Sequence, residues 1–210
     1  YNMVDQIFIG NGVGYLGNGA TNVIFQLTQL AIAIGLLIGD GTASYMNLKL
    51  GEGKREEAEK GMAAGLTALA VSGVTLSIFL TVFLQPLCRL FGATDDIMPY
   101  ALDYGYIIVA GTIFNIFPCG AMSIVRGNGG PKTAMLSMLT GFTVNMIGDP
   151  LTIYGLHWGV KGAAIATVLG QAASAAVCVV YLVRKKGTVQ LTKESFTGCL
   201  RFVPKTARLG

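Results

Sequence analysis

Residues 141–150 read GFTVNMIGDP and lie inside a long apolar segment of the chain. This segment carries a carboxamide at Asn145 and a carboxylate at Asp149, and Pro150 follows directly. Residues four apart on a helix share a face, so we expect Asn145 and Asp149 to point the same way. Proline removes a backbone donor, so Pro150 is a candidate bending point. An ionisable group in hydrocarbon is costly and therefore indicates function, which makes the surroundings of Asp149 the first question.

The composition is that of a membrane protein. Of the 210 residues, 52% are hydrophobic and only 12% are charged, whereas a soluble domain carries about 25% charged residues. The 29 glycines are typical of membrane helices that pack closely. The predicted fold class is therefore all-α, a polytopic bundle of helices in a lipid bilayer. The sequence contains no basic stripe of the kind that binds nucleic acid.

Six apolar segments follow one another, and each is expected to form one membrane helix. They cover residues 1–14, 20–48, 62–84, 98–125, 133–153 and 160–183. The first is shorter than the roughly 20 residues that a span needs, so helix one is expected to begin before Tyr1. Pro86 is expected to end the third segment, and Pro118 to kink the fourth. Residues 1–183 are thus predicted to form one transmembrane lobe, and 184–210 a basic linker.

The positive charges are unevenly distributed between the two ends of these helices. The loops after the second and fourth segments, together with the tail, hold Lys49, Lys54, Arg55, Lys60, Arg126, Lys132, Arg184, Lys185, Lys186, Lys193, Arg201, Lys205 and Arg208. The opposite loops hold Arg89 and Lys161. Because cytoplasmic loops carry the excess of Lys and Arg, the basic loops and the linker are predicted to be cytoplasmic. The predicted location is a cell (plasma) membrane, crossed several times.

Two further polar residues lie at nearly the same predicted depth as Asp149. With a rise of about 1.5 Å per residue, Asp149 lies roughly 7 Å, Thr167 about 10 Å and Asp5 about 13 Å below the outer ends of their segments. An aspartate that faces lipid costs roughly 2.5–3.5 kcal/mol, so a shared polar cavity is the cheaper arrangement. Carboxylate, carboxamide and hydroxyl oxygens can take up a proton or a hard cation such as Na⁺. The candidate cation or proton site is therefore Asp5, Asn145, Asp149 and Thr167.

Each of these residues also has a structural interpretation. Asn145 with Asp149 is alternatively a polar pair that joins helices, and Thr167 a small packing residue. Asp40, in the inner half of the second segment, is either a second polar site or a structural group that caps a broken helix. The sequence shows no nucleophile–base pair and no metal-ligand spacing, so neither an enzyme nor a cofactor is predicted.

Several short sequence blocks resemble those of a known family. Each block alone is weak evidence, but their order and spacing together are specific. The blocks are YNMVDQIFIG at 1–10, GDGTA at 39–43, KLGEG at 49–53, RGNGGPK at 126–132, NMIGDP at 145–150 and GVKGAAIAT at 159–167. Together they resemble the N-terminal lobe of the multidrug and toxic compound extrusion (MATE) transporters, in the branch that includes DinF-like and MepA-like efflux pumps. The resemblance extends over essentially the whole chain.

The resemblance implies a twelve-helix fold of two six-helix lobes, with the C-terminal lobe missing here. It implies an antiporter that exports small organic cations, drugs or toxic compounds, in exchange for H⁺ or Na⁺. The family's acidic cation site maps onto Asp5, Asn145, Asp149 and Thr167, the four residues that depth had selected. Two alternatives are a lipid-linked precursor flippase of the same superfamily and a non-transporting membrane scaffold. The segments contain aspartates and almost no Lys or Arg, which argues against a flippase with phosphate cargo.

Overall fold

A computed structural model of the chain describes residues 2–12, 14–184, 187–191, 195 and 202–207. Every regular element in this part of the chain is helical, as predicted. The helices are α1 (Asn2–Gly12), α2 (Tyr15–Gly51), α3 (Arg55–Leu90), α4 (Met98–Ala110), α5 (Thr112–Gly127), α6 (Pro131–Pro150), α7 (Gly159–Val183) and α8 (Val203–Ala207). A π-helical turn, Leu151–Gly155, follows α6.

Four membrane spans are evident from length and hydropathy among the described helices. α2, α3 and α7 pass this test singly, and α4 with α5 passes as one bent span. α6 has 20 residues, but Asn145, Asp149 and its two prolines lower its hydropathy. It still packs along α7 and α5 as part of the same bundle.

The two proline predictions for the third and fourth segments are wrong. α3 continues through Pro86 to Leu90, because Leu84 and Cys88 are both fully buried in one apolar cluster that holds the turn in place. The fourth segment bends by 51° between α4 and α5, at Gly111 rather than at Pro118. A Cβ on Gly111 would lie 2.5 Å from Cγ2 of Val168 on α7. The helix thus breaks at a glycine that packs against α7.

Two apolar clusters are stacked along the bundle. The first cluster joins the first half of α2, the end of α3, α4 and the start of α7, and includes Ile24, Leu84 and Val109. The second cluster joins the second half of α2, the start of α3, α5 and the end of α7, and includes Met62 and Ile124. Between the two clusters, α5, α6 and α7 carry buried polar residues. These are Thr112, Asn115, Asn145, Asp149, Thr167, Gln171 and Ser174. This polar layer contains most of the predicted site.

Glycines set the distance between α6 and α7. A Cβ on Gly170 would lie 2.7 Å from the carbonyl oxygen of Gly141, and one on Gly141 would lie 3.0 Å from that of Gly170. About two turns further along α6, a Cβ on Gly148 would lie 2.9 Å from Cβ of Ala166. Asn145 lies between these two contacts on α6, so its short side chain reaches α7.

The segment after α7 is bound to the basic end of the bundle by Asn128. The Asn128 side chain donates from Nδ2 to the carbonyl of Val189 at 3.0 Å and accepts from the Val189 amide at 2.7 Å. Tyr181 donates its hydroxyl to the Asn128 carbonyl, and Arg55 donates to the carbonyl of Thr188. Since Asn128 and Val189 are almost completely buried, this pairing excludes water.

At the same basic end of the bundle, ion pairs join the side chains of the turn between α2 and α3. Lys49 and Lys54 contact the Glu52 carboxylate at 2.8 and 3.0 Å. Their hydrogen bonds, that of Lys49 first, lower the pKa of Glu52 below its usual value. Because the Glu52 side chain is exposed, this network sets the geometry of the turn more than its stability.

Candidate functional site

Asn145, Asp149 and Thr167 meet inside the bundle. Asp149 is fully buried, and Asn145 and Thr167 are 3% and 6% exposed. Nδ2 of Asn145 donates to Oδ1 of Asp149 at 3.4 Å and to Oγ1 of Thr167 at 3.3 Å. The i, i+4 spacing places the amide and the carboxylate on one face of α6, as the sequence indicates. One carboxamide therefore links a buried carboxylate on α6 to a hydroxyl on α7.

The cluster contains a buried acceptor atom without a partner. The Thr167 hydroxyl donates to the carbonyl of Ala163 at 2.9 Å and thus offers its lone pairs to Asn145. Oδ1 of Asn145 is buried and has no hydrogen-bond partner among the described residues. Nδ2 of Asn145, rather than Oδ1, faces Asp149 and Thr167. A cation coordinated by oxygens of all three residues would therefore require the Asn145 amide to turn over, whereas a proton on Asp149 would not.

A pocket of about 80 Å³ adjoins this cluster between α5, α6 and α7. Asn145 and Thr167 form part of its wall, together with Asn115, Gln171 and Ser174. The opposite surface is apolar and sulfur-rich, formed by Pro118, Cys119, Met122, Met138 and Phe142. The pocket thus combines a polar wall next to the carboxylate with a flexible apolar wall, and its size suits one end of an amphipathic molecule rather than the whole of it.

Sequence reasoning missed Asn115, Gln171 and Ser174. On α7 the signal was present, because Thr167, Gln171 and Ser174 are spaced by four and three residues and so lie on one helix face. Asn115 had no such partner in its own segment. Only the packing of α5 against α7 brings it to the pocket. Like Asn145, Asn115 has a buried Oδ1 without a partner in the described part of the chain.

Asp5 is the one predicted site residue whose side chain lies outside the described residues. Its backbone belongs to α1, which contacts α2, α6, α7 and the π-helical turn. Tyr154 of that turn donates its hydroxyl to the carbonyl of Phe8 at 3.2 Å, and their rings meet edge to face at 6.3 Å. α1 is thus attached beside the end of α6 that carries Asp149.

Pro150 marks the point where the α-helix changes to a π-helix. The regular α6 ends at Pro150, and the π-helical turn begins at Leu151. In this turn, Thr152 donates its hydroxyl to the carbonyls of Gly148 and Asp149 at 2.9 and 3.3 Å. Local π-helices are common at functional sites. The role of Pro150 as a bending point stays a prediction.

Comparison with known proteins identifies the family. A family model described as MatE matches residues 1–151, which is more than half of the chain. The chain belongs to the MATE family. The match includes α1 and the whole of α6, so it covers Asp5, Asn145 and Asp149 and ends just before α7.

Three matches show how this MATE chain relates to longer proteins. It is 26% identical over 181 residues to the multidrug export protein MepA of Staphylococcus haemolyticus, covering 84% of this chain and 40% of that protein. It is 25% identical over 195 residues to the "Probable multidrug resistance protein YoeA" of Bacillus subtilis, covering 91% and 42%. An inward-facing multidrug resistance MATE transporter structure matches with a TM-score of 0.93 and 29% identity, over 100% of this chain and 48% of the other. The MATE chain described here thus spans less than half the length of these relatives.

Asp40 does not join the candidate site of this MATE lobe. It is exposed, on a stripe of α2 whose exposed positions recur every three or four residues and are mostly polar. The stripe consists of Asn22, Gln26, Gln29, Asp40, Ser44 and Asn47, with Ala33 and Leu36 between them, and we call it the α2 polar stripe. A polar helix face in a membrane bundle faces water or protein rather than lipid.

Proposed function

We propose that the chain is the first lobe of a secondary active antiporter that exports organic cations in exchange for H⁺ or Na⁺. The observation that carries the proposal is the fully buried Asp149, bonded to Asn145 and linked through it to Thr167. The family membership and the relatives named for multidrug export support it. In this mechanism a second lobe completes the transport pathway, and the basic end of the bundle lies in the cytoplasm.

In this proposal, different groups of residues bind the coupling ion and the substrate. Asp149 takes up the coupling ion, either a proton on its carboxylate or Na⁺ among the oxygens of Asp149, Asn145 and Thr167, the latter with the Asn145 amide turned so that Oδ1 replaces Nδ2. A cationic amphipathic substrate places its charged end in the adjoining pocket, toward Asp149 and against Met138 and Phe142. Since this pocket is about 80 Å³ and drug-sized ligands need roughly 300 Å³ or more, the rest of the substrate lies in the pathway that the second lobe completes. Because both cations favour the same negative charge, binding of the ion from outside weakens binding of the substrate and drives its release.

The substitution Asp149→Asn in the full-length protein tests the proposal. Reconstituted into proteoliposomes, this variant is expected to lose ethidium transport driven by an imposed proton or sodium gradient, because the amide carries no charge to exchange. Its insertion and its elution in size exclusion are expected to stay normal. Asp103→Asn is the matched control, since Asp103 is exposed and pairs with Lys161 at 3.2 Å. Unchanged gradient-driven transport by Asp149→Asn would overturn the proposal.

Separate gradients distinguish the two coupling ions. Thr167→Val removes a hydroxyl ligand but keeps the shape of the side chain. We expect this change to raise the Na⁺ concentration needed for half-maximal transport if Na⁺ is the coupling ion. Proton-driven transport through Asp149 alone would change little.

A further inference from the structure

A groove lies between α6 and α7, apart from the pocket beside Asp149. Its volume is about 340 Å³. α6 begins at this end of the bundle and α7 ends here, so the groove lies at the basic end. Its walls are apolar, formed by Leu136 from α6 and by Ala176, Val177 and Val180 from α7, and Thr133 and Arg184 close the basic end.

The groove opens on the outside of the bundle. Leu136 and Val180 are 56% and 47% exposed, and their neighbours Met135, Leu139 and Val183 are exposed as well. This surface lacks the polar residues found along the α2 polar stripe. Since exposed apolar helix faces in a membrane protein contact lipid, the groove opens into the hydrocarbon near one membrane surface.

Two cations lie at the basic end of this groove. Arg184 directly follows α7, and Lys132 lies in the first turn of α6 beside Thr133. Arg184 and Lys132 are exposed. Within the described residues, neither forms an ion pair, whereas Lys49, Lys54, Arg55 and Lys60 all contact glutamates of the α2–α3 region. The sequence adds Lys185 and Lys186 immediately after Arg184. Among the residues that the structure describes, the groove therefore offers positive charge without a paired carboxylate at one end of an apolar channel.

We propose that this groove binds an anionic phospholipid. The phosphate lies against the guanidinium of Arg184 and the hydroxyl of Thr133, with Lys132 nearby, and an acyl chain lies along Leu136, Ala176 and Val180. Arginine suits a phosphate because its planar fork donates two parallel hydrogen bonds. Basic pockets between membrane helices at a membrane surface bind anionic head groups by this combination of charge and apolar contact. A free phosphate would fill only the basic end and leave the apolar walls uncovered.

Lipid retention by the full-length protein in detergent tests this site. Native mass spectrometry would compare occupancy by palmitoyl-oleoyl-phosphatidylglycerol with occupancy by the matching phosphatidylcholine. We expect phosphatidylglycerol to be preferred, and Arg184→Gln to lower its occupancy constant roughly fivefold, as for loss of one cation near a lipid surface. Arg126→Gln is the matched control, because Arg126 is exposed at the same end, makes no ion pair with the described residues and does not line the groove.

A second pair of variants separates the groove from general charge. Ala176→Phe keeps every charge but fills the channel, and we expect it to lower phosphatidylglycerol binding as Arg184→Gln does. Arg184→Lys keeps the charge but lacks the planar fork, so its binding is expected to lie between that of Arg184→Gln and that of the unchanged protein. Equal losses in Arg184→Gln and Arg126→Gln would overturn the site, and so would unchanged binding in Ala176→Phe. Displacement of the lipid by millimolar glycerol phosphate would also overturn it. Lipid occupancy is measured independently of ion-driven transport. This test can therefore fail while the proposed transport function stands, and the transport test can fail while the lipid site stands.

Discussion

At the residue scale, one amide group holds the candidate site together. The two N–H bonds of Asn145 Nδ2 reach the Asp149 carboxylate and the Thr167 hydroxyl. In Asn145→Leu, which keeps a similar volume, the buried carboxylate loses a donor. We expect the free energy of unfolding to fall by about 1–3 kcal/mol. Thermal unfolding in detergent measures this, with Thr143→Leu on the exposed face of α6 as control. Equal midpoints for the two variants would show that the amide adds nothing to stability.

The glycine contact between α6 and α7 makes a second prediction. In Gly170→Ala the new methyl group meets the backbone oxygen of Gly141, which cannot turn aside as a side chain could. We expect a loss of about 1–3 kcal/mol in stability, as for other overpacked sites. Gly51→Ala is the matched control, because nothing lies within 4 Å of its Cβ position. A stability of Gly170→Ala equal to that of Gly51→Ala would contradict the close contact.

The sequence predicts the residues of the site better than its extent. The four-residue spacing on one helix fixes the mutual orientation of Asn145 and Asp149, and depth alone suggests Thr167. Asn115 and the pocket beside it depend on how α5 approaches α7. The distance between α5 and α7 is set by contacts such as the one at Gly111, where residues remote in sequence meet. No local sequence pattern predicts such a contact.

At the scale of elements, Asn128 fastens the segment after α7 to the bundle. Asn128→Ala leaves the amide and the carbonyl of Val189 without their side-chain partner. We expect the Val189 amide to exchange its hydrogen markedly faster, because segment 187–191 opens without unfolding of the helices. Hydrogen–deuterium exchange with peptide resolution measures this, and Asn47→Ala, an exposed asparagine on α2, is the control. Unchanged exchange in Asn128→Ala would mean that other contacts bind this segment.

Helix ends were the least predictable feature of the elements. Pro86 does not end α3, because burial of the residues on either side outweighs one lost backbone bond. The bend of the fourth span occurs at a glycine that the sequence does not distinguish from the other 28 glycines of the chain. The order of the helices and their all-α nature follow directly from composition and from the spacing of apolar segments.

At the scale of the whole molecule, the exposed faces of α2 and α3 differ in kind. The α2 polar stripe is expected to face an aqueous pathway or a second lobe, whereas exposed residues of α3 such as Val74 and Ile78 are expected to face lipid. In a cysteine-free full-length background, Gln26→Cys is expected to react with a water-soluble maleimide and Val74→Cys to stay unlabelled. Labelling of Val74→Cys at the rate of Gln26→Cys would contradict this assignment.

The two stacked clusters leave a polar layer between them on α5, α6 and α7. Each cluster is packed within itself, and among the partly buried residues Leu76 contacts both of them. The layer contains Asn145, Asp149 and Thr167, and the hydrogen bonds from Asn145 to the other two are long, at 3.4 and 3.3 Å. Because α2, α3 and α7 run through both clusters, the two cores keep their relative positions, and a rearrangement in this layer is confined to its side chains. A change of charge at Asp149 would therefore alter the contact between α6 and α7 while both apolar cores stay packed.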